Sequence, residues 1–450
     1  MRDAPRPIPD AKKVKMYNSL GANFILDIDG SGVMGKYELV CPWCGVAMAD
    51  NYTLSCPCNS LIRTKYYAKR LTIRDLPGMW KFHDWLPAEG HTSSGGATVT
   101  YRSEGLAREL GIDLHVAFNG YWPEMGAQML TCSFKELEAP PTIVRAKEHG
   151  GRALVLASAG NTARAFAYLS TLTGFPLVIV VPERNAERLW IPGREPGPAV
   201  KLITLAGDCD YTDAIALANR LAGQPGLLPE GGAKNVARRD GMATVMLDAA
   251  VTMKVMPDDY FQSVGSGTGG IAAWEASLRL RDDGRFGRGL PRLHLAQNLP
   301  FAPMLHAWDA GRREIIAETD MPDAKKCIAE MYSDVLSNRN PPYGIRGGVF
   351  DALEATDGAM YGVTRAEAEQ ARRLFEAREG IDILPPAAVA VAALVQACER
   401  GTLRDRKVLL NITGGGQERL TRDMPLYPVE PAESVPGPDA PVEQIMKVLT

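Results

Sequence analysis

Four short segments of this chain hold residue types that can do chemistry. The first is Thr131-Cys132-Ser133-Phe134-Lys135-Glu136. A lysine that follows an aromatic ring amid small residues is either an ordinary solvated lysine or an amine set to form a Schiff base with a carbonyl cofactor. The second, Ser158-Ala159-Gly160-Asn161-Thr162, directly follows the apolar run from Ala153 to Ala157. Open α/β sheets bind ligands beyond the carboxyl ends of their strands. Small residues at a helix start expose amides that can hold a carboxylate, and Asn161 adds a neutral donor. A plain N-cap turn has the same composition. The third, Gly265-Ser266-Gly267-Thr268-Gly269-Gly270, lies between the strand-like Tyr260 to Val264 and Ile271-Ala272-Ala273-Trp274. Its glycines let several amides converge on a phosphate. No Lys-Ser or Lys-Thr follows, which excludes the NTP-binding P-loop, and the loop is not in the usual place of a dinucleotide fingerprint. The fourth, Leu409-Leu410-Asn411-Ile412-Thr413-Gly414-Gly415-Gly416, ends a strand in a hydroxyl and glycines, as a simple turn also would.

The cysteines suggest a different chemistry. Cys41-Pro42-Trp43-Cys44 looks like half of a zinc ribbon, and Cys56-Pro57-Cys58 like the other half. One residue separates Cys56 from Cys58, where a zinc knuckle normally uses two or more. The reading therefore favours unmetallated thiols and no metal, with Cys41, Cys44, Cys56 and Cys58 as the ligands if zinc is held. Cys132 reads as a packed small side chain rather than a nucleophile.

A chain of 450 residues must position these segments, enough for two to four domains. The net charge of −3 excludes a general basic field for nucleic acid or an acidic membrane. Hydrophobic residues at 46% and charged residues at 23% are ordinary for a globular protein. No apolar run is long enough for a membrane span, and Ala387 to Val395 fits a buried helix. The first residues lack the apolar core of a signal peptide. The expectation is a soluble, cytoplasmic protein with reduced thiols.

Periodicity orders the rest. Residues 1–13 are Pro- and Lys-rich and expected to fray. Gly35 to Leu71 reads as short strands and turns, and residues 88–97 as a loop. From about residue 100 the pattern is α/β, with buried parallel strands at Ala153 to Ala157 and Leu177 to Val181. Asn161 to Leu172 and Asp213 to Leu221 suit helices. The Pro-rich stretch from Pro425 to Pro441 reads as a surface strap.

Taken in order, the four segments resemble the pyridoxal-phosphate enzymes of the tryptophan-synthase-β type, fold type II, which include threonine synthase and the cysteine synthases. The resemblance covers roughly residues 95–420, and Glu379 to Pro386 adds to it. It implies that Lys135 holds pyridoxal 5′-phosphate and acts as the catalytic base. It implies that Ser158, Gly160 and Thr162 bind the substrate carboxylate while Asn161 contacts the ring oxygen. Gly265, Gly267, Thr268, Gly269 and Gly270 would hold the cofactor phosphate, and Thr413 would meet the pyridine nitrogen. The implied architecture is two domains with parallel-rich sheets covered by helices, plus a small N-terminal module. Residues 1–94 form that module, 95–149 with 236–420 the large cofactor-binding domain, 150–235 the smaller α/β domain, and 421–450 the strap.

Further stretches resemble the cysteate synthase group of methanogenic archaea: Trp80 to Pro87, Gly120 to Glu124, Thr131 to Ala139, and Gln297 to Phe301. Threonine synthases usually follow Ser-Phe-Lys with Asp, where this chain has Glu136 and then Leu137-Glu138-Ala139. The resemblance implies a β-replacement that turns O-phospho-L-serine and sulfite into L-cysteate and phosphate, in the service of coenzyme M synthesis. Threonine synthase acting on O-phosphohomoserine is the alternative. A non-catalytic binding protein of this fold is a third reading, against which Lys135 argues. A leaving phosphate and an incoming sulfite need cations, and Lys234, Arg238 and Arg239 crowd one short stretch. That stretch would equally suit a solvated helix start; Arg102 and Arg346 are further candidates. The implied partners are small-molecule substrates and other copies of the chain, with neither nucleic acid nor membrane.

Overall fold

The computed structural model describes residues 35–449 apart from Ser94 and Ala159, together with the strand pair Met16–Tyr17 and Asn23–Phe24. Residues 1–13, expected to fray, lie outside the described residues. Two sheets carry the architecture. The larger runs in the order 359–363, 292–298, 259–263, 407–412, 113–118, 99–102. All neighbours in it are parallel except the edge strand Val99–Arg102, which is antiparallel to Asp113–Phe118. The smaller sheet is wholly parallel, in the order 227–229, 153–157, 177–182, 200–205, 431–435.

The strands form where apolar runs are continuous, because helices cover both faces of a parallel sheet. Leu177–Pro182 is buried at every position. Helix Tyr211–Ala222 covers this sheet with Ala214, Leu217 and Leu221, and Asp210 opens it with a capping box. Helix Pro385–Glu399, the run read as a buried helix, packs into the core of the larger sheet.

Two expectations need correction. The cationic stretch does not open a solvated helix. Helix Val236–Met253 is buried from Val236 through Ala250, sandwiched between the N-terminal module and the helices of the larger sheet. The Pro-rich strap contributes structure as well. Leu426–Pro428 pairs with Trp190–Pro192, Pro431–Val435 forms the edge of the smaller sheet, and helix Val442–Leu449 packs beneath it. Proline is tolerated at a strand start and on an edge, where no ladder donor is missed.

The N-terminal module is a three-stranded antiparallel ribbon of Ala47–Met48, Tyr37–Val40 and Arg63–Tyr66. It is tied down by buried polar contacts. Arg145 forks onto Asp50 at 2.6 and 2.7 Å, and the hydroxyls of Thr64 and Tyr66 donate to Asp240 at 2.5 and 2.7 Å.

Candidate active site

The carboxyl ends of both sheets open onto one cleft of about 2340 Å³. Single-ligand pockets are roughly 300–1,000 Å³, so this one has room for a cofactor and an amino acid together. Lys135, Ser158, Gly160, Asn161, Thr162 and Thr413 line it, as does the loop from Gly265 to Gly269.

Lys135 sits on a short 3-10 turn, Phe134–Leu137. Ser133 is extended and its hydroxyl accepts the Lys135 N–H at 3.4 Å. The Phe134 N–H donates to the Thr413 carbonyl at 3.0 Å, which docks this turn onto the end of strand Lys407–Ile412. The neighbouring Glu136 is buried, and burial pushes its carboxyl up to about 7 against the N–H and hydroxyl of Thr131. Cys132 is buried and its thiol is pushed up by desolvation, as a packed side chain requires.

Around the amine lies a chain of alternating charges. Lys135 Nζ is 3.5 Å from Glu138 Oε2, Arg238 is 3.0 Å from the same oxygen, and Arg238 reaches Glu230 at 2.7 Å. Burial lowers the proton affinity of Lys135, and Glu138 pulls it partly back. Glu138 and Glu230 were missed as site residues because nothing in their local sequence marks a carboxylate as a lysine's or an arginine's counterion.

The glycine loop follows strand Asp259–Ser263 and opens the 16-residue helix Thr268–Asp283. Gly267 has φ +79°, which few other residues adopt cheaply. A Cβ on Gly269 would lie 2.3 Å from the Gln262 side-chain amide, which Tyr260 and Asn411 already hold by hydrogen bonds. The first-turn N–H groups of the helix have no intrahelical acceptor and carry the positive end of its dipole. Ser263 Oγ is buried and lacks a hydrogen-bond partner among the described residues, and Ser263 faces the same cleft. Gly270 lies behind the loop against Leu295 and does not line the cleft. Strand Asp259–Ser263 pairs Phe261 with Leu410, so the loop and Thr413 leave adjacent strand ends.

Opposite, strand Ala153–Ala157 leads into helix Asn161–Thr173. Ser158 Oγ accepts the N–H groups of Gly160 and Ala163, both at 3.4 Å. Asn161 Oδ1 takes a hydrogen bond from Arg164, a buried arginine whose guanidinium lies over Trp190.

The cations divide. Lys234 is exposed on the cleft wall. Arg238 lines the cleft, but Glu138 and Glu230 hold its guanidinium. Arg239 departs from the expectation: it is fully buried, pairs with Glu275 at 2.9 Å, and donates to the carbonyls of Ile62 and Ala233. Its role is to fasten the ribbon to the helix. Arg102 pairs with Asp113 at 3.4 Å and does not line the cleft, whereas Arg346 does line it. Lys234 lies on the 3-10 turn Gly232–Lys234 before the helix, while Arg238 and Arg239 lie on the helix and are held by different carboxylates, so the run does not present its charges together. No helix among the described residues is long and apolar enough to cross a membrane.

Residues 92–414 match the family model of pyridoxal-phosphate dependent enzymes. The chain belongs to this family. It is 76% identical over 416 residues to the cysteate synthase of Methanocella arvoryzae, covering 92% of this chain and 100% of that protein. It is 67% identical to the cysteate synthase of Methanocella paludicola (92% and 98% covered) and 55% identical to that of Methanosarcina barkeri (92% and 100%). Among solved structures it is similar to maize serine racemase, with TM-score 0.50 and 14% identity over 72% of this chain and 91% of that one. It is similar to a T.th. threonine deaminase, with TM-score 0.50 and 18% identity over 71% and 93%. These neighbours show the fold.

The residues present fit the family's cofactor. A half-buried amine of lowered proton affinity, a glycine cradle that a single Cβ would fill, and an unsatisfied serine hydroxyl all meet in one cleft.

Proposed function

We propose that this enzyme replaces the phosphate of O-phospho-L-serine with sulfite, giving L-cysteate and phosphate. The observation that carries the reading is the 76% identity to a cysteate synthase over that protein's whole length. The cleft has the groups the reaction needs. When bound, pyridoxal phosphate supplies an electron sink for charge that develops at the substrate Cα. The loop Gly265–Gly269 holds the cofactor's phosphate at the helix N-terminus, where amides and dipole both favour an anion. Thr413 offers a neutral hydroxyl to the ring nitrogen and so leaves it without a carboxylate partner. Ser158, Gly160 and Thr162 orient the substrate carboxylate, and Asn161 would donate to the cofactor's ring oxygen.

Lys135 Nζ takes the proton from Cα and returns it after sulfite has added at Cβ. Burial lowers the proton affinity of the amine, the direction a base requires. Glu138 Oε2, 3.5 Å away, holds the ammonium between those two steps. Lys234 stands exposed on the wall where phosphate leaves and sulfite enters. The test is purified enzyme with phosphoserine, with and without sulfite, its products weighed by mass spectrometry. Cysteate formed only when sulfite is present supports the reading. Threonine from phosphohomoserine, with no cysteate from phosphoserine, overturns it.

A further inference from the structure

The four cysteines of the N-terminal ribbon lie together, outside the chemistry described so far. Their sulfurs all fall within 4.8 Å of one another. Cys41 and Cys58 are 3.6 Å apart, Cys44 and Cys56 3.5 Å, and Cys56 and Cys58 3.3 Å. Four thiolates at about 2.3 Å from a tetrahedral zinc would be spaced at about 3.8 Å, the edge of that tetrahedron. A disulfide needs its sulfurs at about 2.05 Å, and all four thiols are free. The distances also link Cys56 to both Cys44 and Cys58, which makes one four-cornered cluster rather than two separate pairs.

The backbone explains why a single residue between Cys56 and Cys58 is enough. The first turn closes from the Cys41 N–H to the Val46 carbonyl at 2.9 Å, with Gly45 at φ +73°. The second closes one residue tighter, from the Cys56 N–H to the Ser60 carbonyl at 3.4 Å, with Asn59 at φ +58°. Asparagine tolerates that left-handed conformation better than most side chains. The shorter spacing is therefore the mark of a tighter turn, and both turns deliver their sulfurs to the same point. The Cys44 N–H lies 3.5 Å from Cys41 Sγ, as an amide that supports a thiolate would. Cys41 and Cys56 are buried while Cys44 and Cys58 are exposed, which leaves a path for an ion to enter. Arg346 stacks 3.5 Å over the ring of Trp43, which lies between Cys41 and Cys44 in the chain.

We infer that Cys41, Cys44, Cys56 and Cys58 bind a structural zinc ion. As the four Zn–S bonds form, the four S–H protons pass to solvent. The ion holds a wall of the active site, because Cys58, Asn59 and Leu61 line the cleft and the Leu61 N–H is bonded to the Arg346 carbonyl at 2.9 Å.

The full-length holoenzyme, purified without chelators under reducing conditions, is expected to contain about one zinc per chain by elemental analysis, as a closed four-thiolate site would. Replacing zinc by cobalt should give the absorption of tetrahedral thiolate-bound cobalt. Cys44→Ser and Cys58→Ser change the exposed pair, keep the buried pair, and should each lower the zinc content at least tenfold. The site would be overturned by wild-type protein lacking zinc while all four thiols titrate freely. Intact-mass evidence for Cys41–Cys58 and Cys44–Cys56 disulfides in the reduced preparation would overturn it equally. Both wild-type measurements stand even if the variants fold poorly.

Discussion

The cleft is faced by two strand–turn–helix units of the same plan and opposite construction. On the smaller sheet, the turn before helix Asn161–Thr173 is built by side chains: Ser158 Oγ takes two backbone N–H groups, and Asn161 presents its amide at intermediate exposure. On the larger sheet, the turn before helix Thr268–Asp283 is built by missing side chains, with Thr268, Gly269 and Gly270 buried and no room for a Cβ at Gly269. Behind it, Tyr260, Gln262, Asn411 and Asn119 form a continuous buried hydrogen-bonded row. A rigid socket suits a ligand that stays, and an adjustable one suits a ligand that must come and go. The proposed roles follow this division, with substrate at the first turn and the cofactor's phosphate at the second.

The largest way to break this division is at the residue between the two turns. Lys135→Ala should lower turnover by about 10²–10⁴-fold or more, the range of a lost general base. Borohydride reduction of the wild type should fix the cofactor to the peptide that contains Lys135; a label on another lysine removes it from its role. Gly269→Val should weaken cofactor binding by roughly ten- to a hundredfold, the range of a lost charged hydrogen bond, and should also lower thermal stability because its side chain has no room beside Gln262, so affinity is measured on the folded protein. Undiminished affinity would make that loop merely structural. Ser158→Ala should do the converse, raising KM for the amino acid by about two- to tenfold while cofactor affinity holds. If the two variants exchange phenotypes, the assignment of the turns is reversed.

Glu138→Gln sharpens the picture through pH. Glu138 raises the proton affinity of Lys135 against burial, so its removal should make the amine lose its proton at lower pH. Cofactor attachment to the apoenzyme needs the free amine, and the midpoint of its pH dependence should shift downward. An upward shift would show that Glu138 does not act on Lys135. The smallest effect belongs to Lys234→Gln: an exposed charge of this kind is worth about 0.2–1 kcal/mol, so use of phosphoserine and sulfite should fall together by at most about fivefold. Loss of one without the other would place the anions at separate cations.

Much of this was legible in the sequence, for local reasons. The strand from Ala153 to Ala157, the helices near 161 and 213, and the lysine turn are set by apolar periodicity and turn chemistry within a few residues. What escaped depends on partners far along the chain. Arg239 reads as a surface cation until Glu275 and the Ile62 carbonyl are seen around it. Arg238 reads as a substrate ligand until Glu138 and Glu230 close on it. The proline-rich stretch reads as a strap because its strand exists only against a neighbour from the middle of the chain.

That last strand has a consequence for how the molecule is made. Pro431–Val435 completes a sheet whose other strands all lie between Ala153 and Pro229. During synthesis those four strands emerge from the ribosome long before their edge partner, and most of the larger sheet is translated in between. Until then Val200–Leu205 offers an open row of amides and carbonyls, the kind of edge along which nascent chains join one another. Chains cut off after residue 430 should accordingly collect as aggregates rather than as weakened enzyme, although every residue that lines the cleft would be present in them.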